Sequence, residues 1–171
     1  AWGLEHCMIP HTVYLANSSG VKVGITRSHQ ATTRWIDQGA AQALPIRAVE
    51  TRRESGLVEV ALKALVSDRT DWRRMLRGEP ERVDLRSAAA ELLERVAPAG
   101  AGSALPGRPL DAEPFDFRYP VLSYPEKVRS IDAERTPLVE GQLLGIKGQY
   151  LLLDVGVINV RKYTGYVARL R

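Results

Sequence analysis

Two alternating runs constrain this chain most: Thr12–Ala16 (TVYLA) and Val21–Thr26 (VKVGIT), separated only by Asn17, Ser18, Ser19 and Gly20. Alternation of apolar and polar residues is the signature of a strand with two different faces, and the Asn-Ser-Ser-Gly spacer supplies turn chemistry, so residues 12–26 are predicted to form a β-hairpin. After a polar loop, Thr32 or Thr33 is placed to cap a helix running through RWIDQGAAQAL, with Trp35, Ile36 and Ala40 on its apolar stripe and Pro45 as its stop. IRAVETR alternates again through Ile46 and Ala48 and predicts a third strand. Leu57, Val60, Ala61, Ala64 and Leu65 then recur at helical spacing. The predicted order over residues 12–67 is β-β-α-β-α.

Residues 70–96 read as two short helices, TDWRRMLRG and VDLRSAAAELLERVA, broken by Gly78 and Pro80. The segment 97–114 is loaded with Ala, Gly and Pro and is predicted to be a linker or long loop. From 115 to 171 short apolar runs punctuated by Gly and Asp predict a small antiparallel β-domain, a barrel or curled sheet. The expected class is α+β, with an α/β domain and appended helices over 12–96, a β-domain over 115–171, and residues 1–11 as the end of an upstream segment.

The chain has 171 residues, 44% hydrophobic and 26% charged, a composition that supports a core and excludes a disordered chain. No run approaches the roughly 20 apolar residues of a membrane span. AWGLEHCMIPH lacks the basic and apolar regions of a secretory signal. Cys7, the only cysteine, excludes an intrachain disulfide, and a cytoplasmic location is expected. The net charge of +4 is unevenly placed: residues 1–140 balance 19 basic against 19 acidic side chains, and the excess lies in Lys147, Arg161, Lys162, Arg169 and Arg171 against Asp154.

The string HTVYLANSSGVKVGITR, followed by Arg34 and by Glu59 on a helix, resembles the GIY-YIG nuclease superfamily, in particular a divergent branch whose second motif reads K-V/I-G-I-T. The resemblance implies a β-β-α-β-α core. By position it makes Tyr14 the tyrosine of the first motif, puts Lys22, Val23 and Gly24 where YIG stands, gives Arg34 the scissile phosphate, and gives Glu59 a divalent Mg or Mn ion. Lys22 replaces the second tyrosine, so the implied domain is a degenerate one. Phosphodiester hydrolysis needs a base or oriented water, a cation at the non-bridging oxygens and stabilisation of the leaving oxygen. Tyr14, Lys22, Arg34 and a metal on Glu59 are the candidates. Glu59 also lies four residues before Lys63, which fits an exposed ion pair.

Over its whole length the chain is similar to a prokaryotic family of uncharacterised proteins, through CMIPHTVYLANSSGVKVGITR, TRWIDQGA, DRTDWRRML, YPVLSYPEKV and GIKGQYLLLDVGVINVRKYTGY. That resemblance implies a Cys-rich segment upstream, with Cys7 and His11 completing a structural zinc site.

At the C-terminal end the charge excess coincides with tyrosines. Lys147, Arg161 and Lys162 with Tyr150 and Tyr163, joined by Arg27 from the hairpin, are the residues expected to bind nucleic acid, cations following phosphates and aromatics stacking on bases. The expected function is nucleic-acid binding, DNA or RNA, by a degenerate GIY-YIG-like domain joined to a basic β-domain. Two other functions fit the same residues: a divalent-metal-dependent endonuclease, and an assembly or interaction factor on a ribonucleoprotein.

Overall fold

A computed structural model describes residues 1–96 and 105–169. Its centre is the strand β1 (His11–Asn17), in which every residue is buried. That burial requires cover on both faces, and the sequence provides it. Val13 and Leu15 point to one face and meet α3 (Arg52–Lys63) and α5 (Leu85–Val96) in a cluster with Val58, Leu62, Leu85 and Leu92. Tyr14 and Ala16 point to the other and meet Trp35 of α2 (Ala31–Asp37), with Ala40 and Ala43. The two-residue period of a strand thus divides the core into two layers around one sheet.

The sheet is antiparallel, in the order β2-β1-β3-β4, with β2 (Val21–Arg27), β3 (Gln42–Val49), the two-residue β4 (Arg108–Pro109), and β5 (Phe115–Asp116) also on β3. The hairpin 12–26 is as expected, turning at Gly20 with φ of 142°. The start of α3 is fixed by a capping box, in which Thr51 accepts from the Glu54 N–H and the Glu54 carboxylate accepts from the Thr51 N–H. Between β3 and α5 stand α3 and the short α4 (Trp72–Leu76), and a five-residue helix α1 (Trp2–His6) precedes the sheet.

The helix expected to run to Pro45 is shorter than predicted. It ends at Asp37, and Gly39 with φ of 66° turns the chain out of it. Pro45 lies inside β3 instead. Val13 faces Arg47 while Tyr14 faces Pro45, so Ile46 is an extra residue in a bulge, and on the other side of β3 the pairings at 42–43 and 47–48 leave position 45 free of a partner. A proline with no N–H is tolerated in such a gap.

The C-terminal region is not strand-like throughout, and no barrel closes among the described residues. It holds one three-stranded antiparallel sheet, β6 (Leu143–Lys147), β7 (Tyr150–Leu153) and β8 (Gly156–Asn159), with largely irregular chain from 117 to 142 and a 3-10 turn at Val160–Tyr163. Leu152 and Val157 of this sheet pack on Met75 and Leu76 of α4. Of the predicted linker, residues 97–104 lie outside the described residues, and Arg108–Pro109 extend the first sheet as β4. Among the described residues, no helix is long and apolar enough to cross a membrane.

Candidate functional site

Tyr14 is fully buried, and the cross-strand register explains how its ring is housed. Its partner on β2 is Gly24, and a Cβ there would lie 2.6 Å from both the Cζ and hydroxyl of Tyr14. The phenol therefore lies across β2 through a gap that only glycine leaves. Its hydroxyl accepts a hydrogen bond from Gln38 Nε2 at 2.8 Å, and Trp35 meets the ring edge-on. Burial pushes the Tyr14 phenol up; Gln38 and the Arg34 guanidinium oppose this, and the Glu59 carboxylate adds to it.

Lys22 lies on the same face of β2, two residues before Gly24, and is 6% exposed. Burial, and secondarily the charge of Arg34, push its ammonium down to about 8, against a smaller pull from Asp68. Asp68 is itself held by Lys63 at 2.6 Å. Among the described residues the Lys22 ammonium has no ion-pair partner. Lys63 takes Asp68 and forms no ion pair with Glu59, leaving the half-buried Glu59 to act on Tyr14. The hairpin, α2 and α3 thus bring Tyr14, Lys22, Arg34 and Glu59 within electrostatic reach of one another.

Next to this group opens a cavity of about 440 Å³. Arg27 at the end of β2, Arg34 on α2, Arg52 at the start of α3 and Arg161 in the last 3-10 turn all line it, and among the described residues Asp37 is the one carboxylate in its wall. Among the described residues none of these four arginines forms an ion pair. Four unpaired cations from four elements make a site of strongly positive potential.

His11 lines the same cavity. It is buried, its Nδ1 lies 2.7 Å from the Ile9 carbonyl, and desolvation, opposed by that hydrogen bond and assisted by the charges of Arg52 and Arg27, lowers its pKa. Cys7 and His6 are neighbours in the wall. Among the described residues, no group of three or more His, Cys, Asp or Glu side chains is arranged to hold a metal ion. A divalent ion at Glu59 would have that single carboxylate, a donor set that fits magnesium when water and phosphate complete the shell.

The C-terminal candidates separate. Arg161 joins the cavity. Lys147 does not, and its expected role at a nucleic-acid surface is corrected: the side chain is 0% exposed, its ammonium donates to Gly78 O at 2.9 Å and Glu79 Oε1 at 3.1 Å, and it lies over the rings of Tyr119 and Tyr124. A charge count cannot distinguish a lysine that welds β6 to the turn after α4 from one that faces solvent. Tyr150 stacks on Trp72 at 5.7 Å, Lys162 pairs with Asp132 at 3.2 Å, and the Tyr163 hydroxyl accepts from the Ala133 N–H at 2.7 Å.

Trp2 and Arg52 are among the cavity residues that the sequence does not single out. For Arg52 a signal was present, since Thr51-Arg52-Arg53-Glu54 is a capping-box string that marks the first residue of a helix. Trp2 and His6 reach the cavity only through tertiary placement of α1.

The fold and site define an α+β protein with an antiparallel sheet and an arginine-lined cavity beside the buried Tyr14 and Lys22. A family model described as "Protein of unknown function (DUF2797)" matches residues 1–168, and the chain belongs to that family. Neither curated proteins nor solved structures include a match to it.

Proposed function

We propose that this protein binds the phosphodiester backbone of nucleic acid in the arginine-lined cavity. The observation that carries the reading is the convergence of Arg27, Arg34, Arg52 and Arg161 on one cavity with no carboxylate paired to them among the described residues. Positive side chains are normally offset by acidic neighbours, and a guanidinium cluster left without them is suited to bidentate phosphate contacts. Lys22, nearly buried and without an ion-pair partner among the described residues, does not line the cavity but lies on the Tyr14 face of β2 within electrostatic reach of Arg34. The order of β1, β2, α2, β3 and α3 is the one that the GIY-YIG resemblance implies, and it agrees with this reading. The test is the affinity for a fluorescent oligonucleotide as a function of salt, which falls steeply if phosphates are bound.

Cleavage of the bound strand is a second reading, favoured by the grouping of Tyr14, Lys22, Arg34 and Glu59. A lysine with a pKa of about 8 is partly neutral near physiological pH and is then able to take a proton from water, the role a tyrosine at that position cannot be replaced in by an ordinary charged lysine. Arg34 would sit at the non-bridging oxygens, and a divalent ion on Glu59 would supply charge at the leaving oxygen. Incubation of labelled DNA and RNA with magnesium or manganese, with and without chelator, decides it. Metal-dependent products that disappear in Glu59→Ala establish turnover, and intact substrate leaves the protein a binder.

A further inference from the structure

The helix α1 buries none of its residues, so the hydrophobic core gives it no reason to exist. It is nevertheless fastened to the body. The Arg52 N–H donates to the Cys7 carbonyl at 2.8 Å, just after the helix, and the Ser28 N–H donates to the Pro10 carbonyl at 3.0 Å. What α1 presents is a pair of stacked rings: Trp2 and His6 lie 4.4 Å apart at 8° to one another, with His6 Nδ1 fixed 2.9 Å from the Trp2 carbonyl. One face of the indole is thereby covered, yet Trp2 is 65% exposed. An apolar ring held in place with an open face, in the wall of a cavity whose other walls carry four arginines, combines the two elements of single-strand recognition, an aromatic platform and a cationic track.

We propose that the cavity takes a nucleotide unit whose base is unstacked from its neighbours, the base lying on the open face of Trp2 and the phosphate among Arg27, Arg34, Arg52 and Arg161. The proposal rests on the phosphate reading above and narrows its ligand. Bases inside a duplex are already stacked and cannot lie on an outside ring without being extruded. A cavity of about 440 Å³ falls within the roughly 300–1,000 Å³ of small-ligand sites. Two sources offer this chemistry, a single strand and a free nucleotide.

The experiment compares a labelled oligothymidylate with an abasic oligomer of equal length, which keeps the phosphates and lacks the bases, on the wild-type chain, Trp2→Ala and Trp2→Phe. Thymidine monophosphate serves as competitor. The wild type should bind the base-bearing strand roughly five- to a hundredfold more tightly than the abasic one, the range of alanine substitution at stacking aromatics. Trp2→Ala should erase that difference while retaining abasic binding, which also certifies its fold, and Trp2→Phe should restore most of it. Competition by the mononucleotide at concentrations matching the strand assigns the site to a free nucleotide, and its absence assigns it to a strand; both retain the Trp2 platform. Equal binding of the two oligomers by the wild type overturns the stacking proposal and leaves the phosphate reading standing. Failure to bind either oligomer overturns both.

Discussion

The Tyr14 ring lies against the backbone of Gly24, its cross-strand partner, so closely that a methyl group at position 24 would meet its Cζ and hydroxyl at 2.6 Å. The glycine of KVGIT is therefore the space into which the tyrosine of TVYLA fits. Gly24→Ala is expected to push the ring off Gln38 and to destabilise the fold by about 1–3 kcal/mol through overpacking of a dense core. Denaturant unfolding measures it; a variant as stable as the wild type would show that the ring has another place to go.

Lys22 is held at a cost to stability. Its pKa in the fold is about 8 against an ordinary 10.5, so between those values the unfolded chain holds more protons than the folded one and stability rises with pH. Below pH 8 the full penalty is present, on the order of 3 kcal/mol. Lys22→Met should therefore raise the unfolding midpoint at pH 7, with the gain shrinking toward pH 10, while weakening oligonucleotide binding. A loss of stability at pH 7 would mean that the lysine has stabilising contacts which outweigh its desolvation.

Lys147 makes the opposite prediction. Its ammonium is satisfied by Gly78, Glu79 and Tyr124, so Glu79→Gln removes the charged partner from a buried cation and should cost about 1–3 kcal/mol. Lys147→Met, which removes the cation with its need for a partner, should be milder than that loss and leave oligonucleotide affinity unchanged. A drop in affinity for Lys147→Met in a chain that still folds would return the residue to the binding surface.

The parts of this structure that were legible in the sequence are those written in local pattern. TVYLA and VKVGIT alternate because one face of each strand meets α3 and the other meets α2; the Leu57–Leu65 spacing marks a helix but not its inner face, since Val58 and Leu62 are buried while Leu57 and Val60 are exposed. Pro45 was misread because its usual meaning, the end of a helix, is overridden by a bulge that can be recognised only from the register of β1 against β3. The charge excess at the C-terminal end pointed to Arg161 and to Lys147 alike, and burial alone separates them. The Thr51-Arg52-Arg53-Glu54 string puts Arg52 at a helix start, but its place in the cavity, like that of Trp2, comes from the packing of distant segments, which no window of sequence displays.

The central claim is phosphate binding by the arginine cavity, and its most direct measurement is the slope of log affinity against log salt concentration for the wild type, Arg52→Gln and Arg161→Gln. The wild type should lose affinity steeply as salt rises, with a slope of about −0.7 per phosphate on a single strand. Each substitution should weaken binding across sequences and reduce the magnitude of that slope by about one phosphate's contribution. An affinity indifferent to salt, or slopes identical in all three proteins, would contradict the account.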